Sequence, residues 1–288
     1  MKLKIIFALL LTIILLVIAR KTSMVRSVNQ MVEKGGITIE HKTVPKKEGD
    51  GDAVISAKVT GIQSPENQVF LFYKIKKKKA EIYTDYYSTL MNSEKEESSY
   101  FKGIIPHQPK GDQAFYYIKV TDKEGRALLT LPEPKKSEIK PIRLKFEGEV
   151  PGFVLIPHIL AMFGGILFAF LSFFSIFDLK RKKISLQKSV NLSKITLALL
   201  FLGTFPLGWA LNWYAFGVLW EAFPFGKDIT DNKTQIVFLF WLITLILVKG
   251  SFLSGDPKKN VFGEKTYFWM VFTSFLVTLL MYLVPHSL

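Results

Sequence analysis

The chain contains no cysteine and only four histidines among its 288 residues. Without cysteine there are no disulfides, no thiolate metal centres, no c-type haem attached through C-x-x-C-H and no cysteine nucleophile. An exported domain of this chain must therefore draw its stability from its own core. Common enzymatic signatures are lacking too: there is no G-x-S-x-G, no P-loop, no H-E-x-x-H and no dinucleotide fingerprint. Acidic residues are scarce, 24 against 38 Lys and Arg, for a net charge of +14. In a soluble protein that excess suggests nucleic acid. Here much of it sits in short loops beside apolar runs, where Lys and Arg fix membrane topology, so nucleic-acid binding is set aside.

What is abundant is apolar. The hydrophobic fraction is 49% and there are 25 phenylalanines. One run, 5–19, opens the chain, a mostly polar stretch follows, and four long runs at 153–177, 192–213, 236–248 and 267–284 fill the rest. A bilayer core takes roughly 20 mostly apolar residues in helical form, and the backbone in lipid must satisfy its own hydrogen bonds. The run 236–248 is short but reaches spanning length if it extends from Thr234 to Phe252. The expectation is an α+β membrane protein: an N-terminal transmembrane helix (1–22), an extracytoplasmic antiparallel β-sandwich (35–148) and a C-terminal four-helix transmembrane bundle (153–288).

Lys2 and Lys4 precede the first apolar run, as in a signal peptide or an uncleaved anchor. No polar region separates Val17-Ile18-Ala19 from that run, which favours the anchor. The loop 178–190 carries Lys180, Arg181, Lys182, Lys183 and Lys188 against Asp178, and the loop 249–265 carries Lys249, Lys258, Lys259 and Lys265 against Asp256 and Glu264. The loop 214–233 is balanced, with Lys227 and Lys233 against Glu221, Asp228 and Asp231. Basic loops stay inside. This predicts a cytoplasmic N-terminus, with the sandwich and the C-terminus extracytoplasmic, in a bacterial inner membrane.

Between the first and second runs the pattern turns to period-two alternation with Gly, Pro and Asp punctuation. It occurs at 53–60 (A-V-I-S-A-K-V-T), 68–75 (Q-V-F-L-F-Y-K-I), 100–105, 114–121, 127–131 and 139–146, which argues antiparallel strands. About seven strands in a segment of this length suit a two-sheet sandwich. The segment A-F-Y-Y-I-K-V-T-D-K-E-G from Ala114 resembles the late tyrosine-bearing strand of fibronectin type III and immunoglobulin-like sandwiches. The preceding I-I-P-H-Q-P-K-G-D resembles the crossover that feeds that strand. The resemblance covers this domain only, implies a binding or spacer module and carries no catalytic residue across.

Several constellations stand out. The four-lysine run Lys76 to Lys79 suits an anionic partner or, more simply, a solvated hairpin turn. Glu48, Asp50 and Asp52 lie among glycines but lack calcium-loop spacing and read as a turn. His41 and His107 read as surface residues. In the membrane half, His158 follows Pro157 inside the second span and His286 follows Pro285 at the end of the fifth. Both fall toward the predicted outer face, with the segment W-E-A-F-P-F-G-K-D-I-T-D-N-K-T from Trp220. Imidazoles there are candidate ligands for haem b or a metal ion, with Asp228 and Asp231 as metal ligands or supporting acceptors and Glu221 nearby. The structural alternative makes Thr230, Asp231 and Asn232 N-caps of the fourth span and places 223–226 as an aromatic turn at the interface. Gly164, Gly165, Gly203 and Gly208 permit close helix contact.

The segment 215–234 resembles ones in uncharacterised bacterial multi-span membrane proteins, which implies an envelope location and no reaction. The leading functional expectation is a non-enzymatic membrane protein whose sandwich binds or positions a partner, in contact with the lipid bilayer and with other membrane or exported proteins. The alternative is a redox or metal-handling subunit using His158, completed by His286 or by a ligand from another chain.

Overall fold

A computed structural model describes residues 2–63, 66–78, 82–93, 99–136, 138–226 and 228–284. The chain is α+β and divides into two compact units. One comprises Met1–Met24, Val150–Tyr214 and Val218–Leu288, the other Val25–Glu149 with Ala215–Gly217.

The second unit is a β-sandwich. One sheet has the order β1 (Asn29–Lys34), β2 (Ile37–Lys42), β4 (Ala53–Thr60), β9 (Tyr100–Ile105) and β8 (Asn92–Ser93). The other runs β3 (Lys46–Glu48), β12 (Ile142–Glu147), β10 (Gln113–Thr121), β5 (Gln68–Lys77) and β6 (Ile82–Tyr83), with β7 (Tyr87–Leu90) also on β5 and β11 (Ala127–Leu131) on β10. Among the described residues, all pairings are antiparallel except β3 with β12. β4, β5, β9, β10, β11 and β12 fall where alternation predicted strands, whereas β2 was not foreseen although I-T-I-E-H-K alternates. β1 was not foreseen, since N-Q-M-V-E-K alternates weakly, and the two- to four-residue strands are too short to show a period. Alternate residues of β4, β5, β10 and β12 face inward, so Ile55, Leu71, Ile118 and Leu144 are fully buried between the sheets. Gly103 is required on β9 because a Cβ there would lie 2.9 Å from Leu71 Cδ2.

The first unit contains five helices long and apolar enough to cross a membrane: α1 (Lys2–Ser23), α2 (Gly152–Lys180), the segment Leu186–Phe216, α5 (Ile229–Leu247) and α6 (Glu264–Leu283). The third consists of α3 (Leu186–Leu202), a π-turn (Gly203–Leu207) around Pro206, and α4 (Gly208–Phe216). Ser185 caps α3 by accepting from Lys188 N. The fourth helix begins earlier than hydropathy suggested, because Asp228 supplies its cap and carries the first turns through Ile229 and the polar residues 230–234.

These helices meet through a Phe-rich core and an internal polar seam. Gly165 and Gly203 make the close approach of α2 to the third helix, since a Cβ would come 3.0 Å from Leu200 and 2.5 Å from Met162 Sδ. Tyr267 OH lies 2.9 Å from Ser193 Oγ and 3.2 Å from Ser189 Oγ, Ser189 reaches Ser175 at 2.6 Å, and Trp241 Nε1 donates to Thr278 at 3.0 Å. All these side chains are buried. Hydrogen bonds of this kind hold apolar helices together where burial from water supplies little drive.

Candidate functional site

Two places in the fold gather chemistry-bearing side chains. The first is the outer face of the β12-β10-β5 sheet. Inward alternation leaves Phe70, Phe72, Lys74 and Lys76 of β5 facing outward, beside Phe115, Tyr117 and Lys119 of β10 and Arg143 of β12. The register sets Phe72 opposite Tyr117, Lys74 opposite Phe115 and Phe115 opposite Arg143. Phe72 and Tyr117 stack with centroids 5.0 Å apart, and Tyr86 meets Tyr117 edge-on. Lys119 Nζ lies 4.7 Å from the Phe72 centroid, and Lys74 Nζ sits 4.9 Å from Tyr83 and 5.0 Å from Tyr86. Each such contact contributes about 0.5–1 kcal/mol at an exposed site and fixes where the amine points. Tyr83, Tyr86 and Leu90 remain 49%, 43% and 46% exposed. A shallow hollow of about 240 Å³, lined by Phe70, Phe72, Ser88 and Lys119, opens on this face. Its one carboxylate, Asp122, is held by Arg126 at 2.6 Å.

Among the tyrosines of the sandwich, Tyr116 and Tyr117 are buried while Tyr86, Tyr87 and Tyr100 are exposed. His41 is not at the surface. It is 3% exposed: the inward face of β2 takes it into the core, where its polar atoms are satisfied. Nδ1 lies 2.7 Å from Ser56 O and Nε2 2.8 Å from Tyr116 OH, which also accepts from Val44 N at 3.3 Å. A carbonyl only accepts, so Nδ1 carries the proton and Tyr116 donates to Nε2. The pair joins the two sheets, and burial holds His41 below and Tyr116 above their ordinary pKa values. His107 is exposed, as expected. The Glu48, Asp50 and Asp52 cluster is a turn: Glu48 pairs with Lys46, Lys47 Nζ donates to Asp50 O, and Asp52 accepts from His107 N. Of the four-lysine run, Lys79 lies outside the described residues.

The second place is the start of α5. Asp228 Oδ1 accepts from Asp231 N at 2.9 Å, so the cap sits one turn before the residues 230–232 expected to provide it. The carboxylate of Asp231, 8% exposed, accepts from Asn212 Nδ2 at 3.1 and 3.0 Å and from Glu221 N at 2.8 Å. Asn232 accepts from Phe223 N, and Asp228 N donates to Glu221 O. These bonds tie the turn 221–226 to the helix and leave Phe223 and Phe225 72% and 83% exposed. Gly226 is required in that turn, since a Cβ would lie 2.3 Å from Glu221 O.

His158, half-buried on α2, has Nδ1 3.1 Å from Gly203 O, so Nδ1 donates and Nε2 is left as the acceptor. His286 lies outside the described residues. Among the described residues, no three of His, Asp and Glu come together in a way that holds a metal ion, so His158, Asp228 and Asp231 are not brought into one site. Asp228 and Asp231 already serve the helix start. Sequence reasoning missed Lys233, counted there as a loop charge. It is 5% exposed inside α5 and donates to Val284 O at 2.6 Å. The signal available was a lysine just before an apolar helix, one turn from a strong capping residue.

No family model matches the chain, and no curated protein matches it. Among solved structures it is similar to one titled "Crystal structure of Br derivative BhCBM56", at 11% identity over 40% of this chain and 97% of that one, with a TM-score of 0.24. That likeness is too low to carry an argument.

Proposed function

We propose that the chain is an integral protein of a bacterial inner membrane, without catalytic activity, whose exported β-sandwich binds or positions a partner in a membrane complex. The observation that carries this reading is the outer face of β5 and β10, where exposed tyrosines stand beside ring-ordered cations. Interfaces are enriched in tyrosine and arginine, and their energy concentrates on such anchors. The immunoglobulin-like assignment draws support from the order β2-β4-β9 facing β3-β12-β10-β5, with β3 parallel to β12. The basic loops support a cytoplasmic N-terminus and an external C-terminus, the apolar run reaching Val17-Ile18-Ala19 without a polar break supports an uncleaved α1 anchor, and the length and hydropathy of the later helices support four C-terminal spans. Reporter fusions in the loop at 181–185 test the topology, an exported loop there reversing it. Co-purification of the gently solubilised chain with a membrane or exported protein supports the partner reading. A lone monomer with intrinsic turnover overturns it.

A redox or metal-handling reading rests on one observation, the carbonyl-anchored His158 with Nε2 left over, an arrangement common among ligating imidazoles. Haem b would need a second axial group besides His158. An absorption band lost in His158→Ala supports this reading, whereas a colourless, metal-free preparation removes it.

A further inference from the structure

We infer that the outer β12-β10-β5 face docks an acidic, extended segment of a partner protein, with alternate carboxylates seated on Lys74 and Lys76 and with Lys119 and Arg143 flanking that line as further cations. This rests on the partner-binding reading and names the chemistry of its site.

Charge is the first argument. No outward position on β5 or β10 is acidic, and among the described residues none of those four cations is in an ion pair. Of the carboxylates on the neighbouring strands, Glu147 lies 3.8 Å from Lys46 and Asp122 is held by Arg126; Asp85, between Tyr83 and Tyr86, is exposed at the edge of the face. A surface of one sign, with its partners missing, is complementary to the opposite sign.

Order is the second. Lys74, Lys76 and Lys119 lie on aromatic rings, so part of the side-chain entropy that an ion pair normally loses is already lost. Carboxylates meeting pre-placed amines form the stronger, charge-assisted hydrogen bonds.

Spacing is the third, and it selects polypeptide. Lys74 and Lys76 are two residues apart on a strand, about 6.7 Å, which is also the repeat of alternate side chains in an extended peptide. Arg143 lies two strands from Lys74, about 9.6 Å away by the usual strand separation. A segment alternating acidic and small residues thus meets Lys74 and Lys76 in step. Its apolar edge is left for Tyr83, Tyr86 and Leu90, the exposed groups beside β5.

The test uses the full chain in phosphatidylcholine nanodiscs and a short synthetic peptide alternating glutamate and threonine. The glutamine–threonine counterpart serves as the uncharged control, and phosphatidylglycerol vesicles serve as a lipid-surface arm. Expected are binding to the glutamate peptide alone, weakening with salt, and a loss of about tenfold in Lys74→Gln/Lys119→Gln. Lys182→Gln/Lys183→Gln, equal in charge change and outside the sandwich, should bind as the parent does. Arg143→Gln, which removes a charge without disturbing a ring contact, should weaken binding even if the double variant unfolds. Equal binding of both peptides, equal loss in the control variant, unchanged binding in Arg143→Gln and the folded double variant, or binding to vesicles but not peptide each overturns the inference. Peptide failure with protein co-purification retained overturns this inference alone. Failure of co-purification overturns the reading beneath it.

Discussion

Replacing Tyr116 by Phe removes one oxygen from the centre of the sandwich and leaves the ring. Tyr116 is fully buried, and its hydroxyl both donates to His41 Nε2 at 2.8 Å and accepts from Val44 N at 3.3 Å. The substitution therefore strands an imidazole nitrogen and a backbone N–H away from water. A typical hydrogen bond contributes about 0.5–1.5 kcal/mol net, and an unsatisfied buried group costs about 1–3 kcal/mol. Allowing for the long bond to Val44, the expected loss is about 2 kcal/mol, close to 30-fold in the opening equilibrium. Tyr117→Phe is the matched control: its ring stacks on Phe72, and among the described residues its hydroxyl makes no hydrogen bond, so its cost should stay within about 0.5 kcal/mol. Hydrogen exchange of the β2 and β10 amides in the full chain reads both directly, without unfolding the helices. Equal protection in Tyr116→Phe and the parent, or an equal loss in Tyr117→Phe, would refute the claim that the His41–Tyr116 bridge holds the sheets together.

The same bridge predicts a pH dependence. Burial depresses the folded pKa of His41 below 6.5, so its contribution is fully present above 6.5 and is lost as pH falls from there through the folded value, where the unfolded chain takes up its proton first. Exchange protection of β2 should accordingly drop between pH 7 and pH 5 (the window set by the histidine range), and a flat profile would contradict it. Asp231→Asn keeps size but puts an amide donor against Asn212 or Glu221 N, and should lower detergent-phase thermal stability by about 1–3 kcal/mol, with no change in sandwich exchange. Gly226→Ala drives a methyl into Glu221 O and should cost about 1–3 kcal/mol, read as faster proteolysis of the loop 217–228; an unchanged digestion rate would show that the turn relaxes freely.

Much of this protein is legible in one dimension. Hydropathy located five helices capable of spanning a membrane because lipid imposes a length and a composition that tertiary contacts seldom override. Period-two alternation located β4, β5, β9, β10 and β11 because one face of each strand is buried. The tertiary structure decided what depends on partners distant in sequence. His41 looks like any polar residue on a strand until Tyr116 and the carbonyl of Ser56, both remote in sequence, converge on it. Asp231 looked like a candidate ligand until Asn212 and the amide of Glu221 took up its oxygens, and Asp228 became the cap that draws Lys233 into the helix. The basic face of β5 and β10 was invisible for the same reason: a run of lysines shows charge, whereas cross-strand register alone brings Lys74 beside Phe115 and Phe115 beside Arg143.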